Sequence, residues 1–217
     1  MVGRSKYARR RVLAAGVLLT AAITLPVGLN IGRFVAEGWC WAALLAIPGG
    51  VAAVDLVTGM VHWACDRFGD ADTPVVGPLL IRAFRDHHAD PEAMLRHDWI
   101  ETNGEASLSA ALVLVTLELS APFARSNPSV FLWTLVWTMA ALGAWANQVH
   151  KWAHLPRAPR SVRTLQSLGL ALHPDHHACH HRATHDSGYC ISTGWMNPVL
   201  DRLGFWSRLE RSLRRAT

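Results

Sequence analysis

Four stretches of the chain are almost continuously apolar, over residues 12–31, 35–57, 107–124 and 128–148. Each approaches the roughly 20 residues that a helix needs to cross about 30 Å of hydrocarbon. Backbone polar groups in lipid must be satisfied internally, so each stretch is predicted as a transmembrane helix. The third is the least regular, because Glu118 falls inside it and a shorter or partly interfacial segment would also accommodate the carboxylate. Polar residues collect instead at 58–106 and 149–206. The pattern predicts an all-α integral membrane protein of about four transmembrane helices.

Charge orients these helices. Arg4, Lys6, Arg9, Arg10 and Arg11 precede the first apolar run, whereas Arg33 alone lies between the first and second. Basic residues favour the cytoplasmic side, so residues 1–11 are expected as a basic cytoplasmic N-terminus and 12–217 as a single membrane domain. Four spans then return segments 58–106 and 149–206 to the cytoplasmic face. A basic start before an apolar run can also mark a cleaved signal peptide. This run is long, however, and no small-x-small cleavage site precedes a soluble domain.

Composition agrees. The 217 residues are 51% apolar with ten tryptophans and 17% charged, which fits one membrane domain better than a soluble one. Ten of the 21 basic residues follow residue 148, where anionic headgroups are the simplest partner. No helix-turn-helix, finger or aromatic-basic sheet pattern accompanies them, so nucleic acid is not an expected partner. Cys40, Cys65, Cys179 and Cys190 show no C-x-x-C spacing, which argues against a disulfide framework. There is no internal repeat. The most loop-like stretch, 156–163, separates two histidine clusters rather than two domains.

Those histidines carry the chemistry. All twelve fall after residue 61, in short segments that follow apolar runs. Asp55, Gly59, His62 and Asp66 are spaced by 4, 3 and 4 and so share one helical face. On its own, that spacing fits a carboxylate accepting a hydrogen bond from one imidazole as well as two ligands on one metal. His150 and His154 repeat the i, i+4 arrangement, and His177, His180 and His181 stand at i, i+3 and i+4. Several imidazoles desolvated together need several partners, so such clusters rarely arise as ordinary core packing. His87 and His88 are adjacent and point apart on a helix, which suits two neighbouring ions or one ion and its support. With His97, the candidates number nine nitrogen ligands, plus Asp66 as an oxygen ligand. One tetrahedral zinc would leave most of them unused, whereas two five- or six-coordinate irons fit the number. The polar segments are therefore expected to form a cytoplasmic, histidine-rich di-metal cap. Asp55, Asp98, Glu101, Asn103, Asn147, His173, His176 and His185 are candidates for groups that orient the imidazoles.

The motifs around these residues resemble the Kua family of membrane desaturases, which includes CarF-like bacterial proteins. The resemblance runs from about Asp55 to Trp206. It rests on Asp55-x-x-x-Gly59-x-x-His62-Trp63-x-x-Asp66, Phe84-Arg85-x-His87-His88-x-x-Pro91 and Arg96-His97-Asp98-x-Ile100-Glu101-Thr102-Asn103-Gly104. It continues in Asn147-Gln148-x-His150-Lys151-Trp152-x-His154, His177-x-x-His180-His181 and Tyr189-Cys190-Ile191-x-Thr193-Gly194-Trp195-x-Asn197. The resemblance implies a desaturase, integral to a bacterial inner membrane, that uses oxygen, two electrons and two histidine-bound Fe ions. The implied reaction converts an alkyl ether phospholipid to the vinyl ether of plasmalogens. The H-x-x-x-H box falls on His150 and His154, and the H-x-x-H-H box on His177, His180 and His181.

Two positions depart from the family pattern. Thr184 stands where a proline often precedes the last histidine, and Trp99 where phenylalanine commonly follows His-Asp. Both bear on packing or substrate fit rather than on the metal assignment. The implied partners are a membrane phospholipid and an external electron donor, such as a cytochrome b5-like protein, a ferredoxin or a flavoprotein. Related plastid enzymes imply a second reading, desaturation of a phospholipid acyl chain. A third is a non-catalytic metal sensor in signalling. A zinc hydrolase fits less well, since no H-E-x-x-H helix is present.

Overall fold

The computed structural model describes the backbone of residues 2–182 and 185–216 and the side chains of 8–182 and 185–215. Thr184 and the side chains of Arg4 and Lys6, named above, lie outside the described residues. Among the described residues there is no strand. The long helices are α1 (Val2–Ala36), α2 (Cys40–Arg67), α4 (Trp99–Ser120) and α5 (Asn127–Gly143). The short ones are α3 (Arg82–Ala89), α6 (Ala146–Ala153), α7 (Arg160–Ser167), α8 (Pro174–His180), α9 (Asn197–Arg202) and α10 (Phe205–Ala216). Three helices are long and apolar enough to cross a membrane, over Ala8–Ala36, Cys40–Arg67 and Trp99–Phe123. A fourth span forms if α5 and α6, bent by 46°, count as one.

The helices outrun the apolar runs because polar residues cap them. Asp98 and Glu101 form a capping box that starts α4 at Trp99, eight residues before the apolar run. The Asp98 side chain accepts from the Ile100 and Glu101 amides, and the Glu101 carboxylate accepts from the Asp98 amide. The break between α1 and α2 falls at Gly38, whose φ of +93° is a left-handed conformation that glycine adopts without a Cβ clash.

Contacts divide the chain into two units, residues 1–54 with 97–148 and residues 55–96 with 149–217. In the first, α1 lies against α4 at a distance set by two glycines. A Cβ at Gly104 would stand 2.6 Å from the Leu13 Cβ, and one at Gly16 would stand 2.9 Å from that of Leu108. Small residues at apolar helix contacts let the backbones approach, which is how helices gain packing without a hydrophobic drive. Polar groups then bridge the pair. Thr20 Oγ1 donates to the Ser107 carbonyl at 2.6 Å, and Arg33 to that of Ala121 at 2.9 Å. Asn30 Nδ2 donates to Glu118 at 3.0 Å, so the carboxylate that made the third run irregular is partnered inside an unbroken helix. Phe34, Leu114, Val130 and Trp133 fill the core.

The second unit is made of short helices and turns, and its side chains hold main chain in place. Asp55, fully buried, accepts the amides of Ser192, Thr193 and Gly194 on one oxygen and that of Met196 on the other, at 2.9–3.2 Å. Asn197 closes the same turn by bonding both the amide and the carbonyl of Cys190, each at 2.9 Å. Arg85 donates to the carbonyl of Cys65, which the last turn of α2 leaves open, and to that of Gly69 just beyond the helix. Arg67 pairs with Glu210 at 2.8 Å, and Trp206 packs with Trp63 and Tyr189, which seats α10.

Replacing Asp55 by alanine orphans four amides, three of them in buried hydrogen bonds. Losing a charged acceptor of this kind should cost about 3 kcal/mol or more. The expected outcome is a lower thermal unfolding midpoint for purified Asp55→Ala, read by the fluorescence of the tryptophans.

Candidate metal centre

Each helix of the second unit that carries histidines presents them at spacings that keep side chains neighbouring. His62 and Asp66 stand one turn apart on α2, and His150 on α6 is one turn before His154. His177 and His180 share α8, and His181 follows directly. His87 and His88 are consecutive on α3 and therefore about 100° apart.

These side chains assemble into two sets. His87, His150, His154, His177 and His181 form the first, and His62, Asp66, His88 and His180 the second. Within each set, one potential ligand atom per residue lies within 4.8 Å of all the others. His88, His181 and His185 form a third, overlapping set. The consecutive pairs divide between the first two sets. His87 and His181 enter the first while His88 and His180 enter the second, so angular separation on each helix places one imidazole at each site.

Hydrogen bonding between these rings cannot account for the geometry. His177 Nε2 lies 2.8 Å from that of His150, 2.7 Å from that of His154 and 2.9 Å from that of His181. A ring nitrogen carries either one proton or one lone pair, so at most one of these contacts is a good hydrogen bond. The others bring lone pairs together. A cation at their focus satisfies all of them.

The second set has its lone pairs fixed from behind. His62 Nδ1 lies 3.2 Å from the Tyr189 carbonyl and His180 Nδ1 lies 2.8 Å from that of Ser187. A carbonyl only accepts, so in the neutral rings both protons sit on Nδ1 and both Nε2 lone pairs face Asp66. Asp66 Oδ2 lies 2.9 Å from His88 Nε2, 3.5 Å from His62 Nε2 and 3.6 Å from His180 Nε2. The Asp66 side chain is 6% exposed, and both its Oδ1 and His62 Nε2 lack a hydrogen-bond partner among the described residues. A buried carboxylate faced by the Nε2 lone pairs of His62 and His180 lacks a compensating positive charge, which a metal ion provides. The residues of both sets thus fit a cation, the first as an all-nitrogen site and the second as a site with one negative ligand.

Burial also keeps the rings in the form that binds metal. Desolvation, aided by neighbouring imidazoles, pushes His87 down to about 2 and His181 to about 4. Desolvation pushes His180 to about 3, against the raising effect of the Ser187 carbonyl, and His154 to about 4. His177 is lowered well below its ordinary value for the same reason. All five are neutral at pH 7. Cys190 joins no set. Its buried thiol is pushed up and stays protonated, and it lies where a Cβ on Gly59 would come within 2.7 Å of the sulfur.

Of the nine nitrogen ligands expected, eight enter the two sets together with Asp66. His97 does not enter them; it precedes the N-cap of α4 in the first unit. Asp98 and Glu101, expected to support imidazoles, form the capping box, and Asp98 pairs with Arg10 at 2.6 Å. Asn103 donates to Gln148 and to the Trp99 carbonyl, and Asn147 is half-buried in the first turn of α6. Asp55 holds the 192–196 turn. His173 caps α8 by accepting the Asp175 amide, and His176 is exposed. His185 enters the third set at a φ of +42°, a costly conformation for a non-glycine residue. Sequence reading missed the carbonyls of Ser187 and Tyr189, which fix two tautomers. It also missed Asp201, whose carboxylate accepts the Gly188 amide at 3.2 Å. The Tyr189–Asn197 motif marked the place, but nothing in it distinguishes a carbonyl that works from one that does not.

The comparisons with known proteins agree with this geometry. A family model described as a lipid desaturase domain matches residues 51–217, a stretch that holds every member of the three sets. The chain is 40% identical over 173 residues to plasmanylethanolamine desaturase 1 of Mus musculus, covering 77% of this chain and 63% of the relative. It is 41% identical over 180 residues to plasmanylethanolamine desaturase of Myxococcus xanthus, covering 82% and 62%. Fatty acid desaturase 4-like 1, chloroplastic, of Arabidopsis thaliana is 34% identical over 185 residues, covering 84% of this chain and 60% of the relative. The chain belongs to the lipid desaturase domain family, which bears out the resemblance read from its motifs. It spans less than two thirds of the length of these relatives. No solved structure matches it.

Acid should unfold the metal-free protein early. The unfolded histidines take up protons near pH 6.5, whereas the buried ones stay neutral down to about 4 or below. Between those values the unfolded state binds more protons, so stability falls as pH falls. Denaturant midpoints of metal-free protein from pH 8 to pH 4, values chosen to bracket that window, should hold above about 6.5 and drop steadily below it. A flat profile would mean that the imidazoles are not buried in the neutral form.

Proposed function

We propose that the protein is a membrane lipid desaturase that converts an alkyl ether phospholipid, of the plasmanylethanolamine type, to its vinyl ether. The observation that carries this reading is the pair of ligand sets, five imidazoles in one and three with Asp66 in the other, within a lipid desaturase domain. Eight imidazoles and a carboxylate exceed what one tetrahedral ion takes up and suit two irons. When bound, such a pair supplies oxygen-dependent removal of two hydrogens from adjacent carbons. The chain's own part is to position and to insulate. The Tyr189 and Ser187 carbonyls hold two imidazoles in one tautomer, and burial keeps the set neutral. Holding the alkyl carbons close to the site is where the protein lowers the barrier, since good orientation alone contributes up to about 7–11 kcal/mol.

The electrons come from a separate protein, of the cytochrome b5, ferredoxin or flavoprotein type. The protein is integral to a membrane, and we place its basic N-terminus and histidine segments on the cytoplasmic side of a bacterial inner membrane, on the charge asymmetry of residues 1–11. Residues 12–217 act as one domain in this reading. His62, Asp66, His88 and His180 hold one iron, and His87, His150, His154, His177 and His181 the other.

The similarity to the Arabidopsis chloroplastic desaturase supports a second reading, in which the same centre desaturates a phospholipid acyl chain. Expression in a host that contains plasmanyl lipids but lacks a vinyl ether desaturase separates the two. Wild type should produce acid-labile vinyl ether lipids and His177→Ala should produce none. A new acyl double bond without vinyl ether would favour the second reading, and vinyl ether formation by His177→Ala would sink the assignment of the first set.

A further inference from the structure

A cavity of about 360 Å³ is lined by residues that adjoin the first ligand set in the chain. Residues 155–158 form one wall, with Arg163 and Gln166 from α7 and Pro174 from the start of α8. Its walls continue directly from the candidate metal ligands. Leu155 follows His154 in the chain, and Pro174 lies one helical turn before His177.

Two arginines, Arg157 and Arg163, face this cavity. Several other guanidinium groups are engaged by the protein itself. Arg10, Arg67, Arg82, Arg96 and Arg214 pair with carboxylates, and Arg85 caps α2. Among the described residues, neither the Arg157 nor the Arg163 guanidinium has a carboxylate or carbonyl partner, although the Arg163 amide donates to the Pro159 carbonyl at 3.0 Å within the helix start. Arg163 and Gln166 stand at i and i+3 and so share one face of α7, where Gln166 is buried and its Nε2 is held by the Leu172 carbonyl at 3.2 Å. That bond fixes the floor of the cavity. The carboxylate next to it in the chain, Asp175, is 3.6 Å from His173 Nδ1.

A solvated basic face is the ordinary use of exposed arginines, but such a face is convex and this one is recessed. Planar guanidinium groups lining one cavity suit an anion with several oxygens, and phosphate above all. Leu155, Pro156, Ala158 and Pro174 supply an apolar rim. We infer that this cavity binds the phosphodiester of a glycerophospholipid. The inference rests on the proposed lipid reaction, in which the chain carbons to be desaturated are separated from that phosphate by a handful of bonds. It names Arg157 and Arg163 as the groups that anchor the headgroup while the chain lies toward the ligand sets. A phosphodiester is common to both lipid readings above, so the site selects phospholipid over neutral lipid and leaves the choice of chain to the metal side.

The test is equilibrium binding to full-length, metal-loaded protein in neutral detergent, without an electron donor. The probes are a fluorescent alkyl-acyl phosphatidylethanolamine and the same alkyl-acylglycerol lacking phosphate. Wild type should prefer the phospholipid by about tenfold or more, as expected for charge-assisted contacts. Arg157→Gln with Arg163→Gln should erase that preference while metal content and binding of the neutral lipid stay as in wild type, and the paired lysine variants should restore part of it. In turnover, the double variant should raise KM for lipid and leave kcat near wild type. Equal binding of both lipids by wild type, or an unchanged preference in the double variant, overturns the inference. So does inorganic phosphate that competes as well as the phospholipid, and so does a rise in KM for the electron donor with lipid binding intact. Because binding is read without turnover, absence of desaturation would count against the reaction and not against the cavity.

Discussion

His177 Nε2 has three other imidazole nitrogens within 2.9 Å, and a ring nitrogen has one proton or one lone pair to offer. The second unit is arranged around that conflict. Its short helices bring histidines from three places in the chain, at α3, α6 and α8, to a spot where they cannot satisfy one another, and burial withholds the water that would otherwise do so. Protonation is no escape, because desolvation holds His87, His154, His180 and His181 far below the ordinary imidazole range. The ligand sets are therefore high in energy as a protein interior and low in energy as a cation site. Metal binding and folding of this unit should be coupled for that reason.

The surroundings show how such an arrangement is held. Asp55, Asn197, Arg85 and Asp201 each bond main chain. A region of short helices has many amides and carbonyls that no ladder uses, and leaving them buried and unpaired is costly. The buried polar side chains meet that demand and, in doing so, fix the Tyr189–Met196 segment against α2. The first unit is built by different means. There, two glycines set the approach of α1 to α4, and a few hydrogen bonds to carbonyls are spread along an apolar contact.

Much of this could be read from residue spacing. The i, i+4 pairs His62/Asp66 and His150/His154 and the His177/His180/His181 triplet are geometric statements in themselves, and each pair joins one set as its spacing requires. The consecutive pairs were legible only as ambiguous, since the chain says that His87 and His88 diverge but not that a second helix delivers His180 and His181 to meet them. Asp98 and Glu101 read equally as helix cap and as metal support. Their spacing of three is the capping box, and the amides they accept settled it. His97 was drawn in by its neighbours, although one histidine beside a cap carries no spacing signal. The apolar runs located the helices but not their ends, because caps and turns such as Gly38 decide those. Partners far apart in the chain, such as Asp55 with the 192–196 turn, lie beyond any local pattern.

The imidazoles of His62 and His180 are oriented by the main-chain carbonyls of Tyr189 and Ser187. Every amino acid has that carbonyl, so no single side-chain replacement at 187 or 189 deletes the acceptor itself. What the arrangement depends on is chain length. Gly188, at a φ of +71° and held by Asp201, sets the two carbonyls apart. An added or lost residue there would misdirect both while leaving every histidine in place. In evolutionary terms, this turn can drift in composition but not in count, and its signature among relatives should be an absence of gaps.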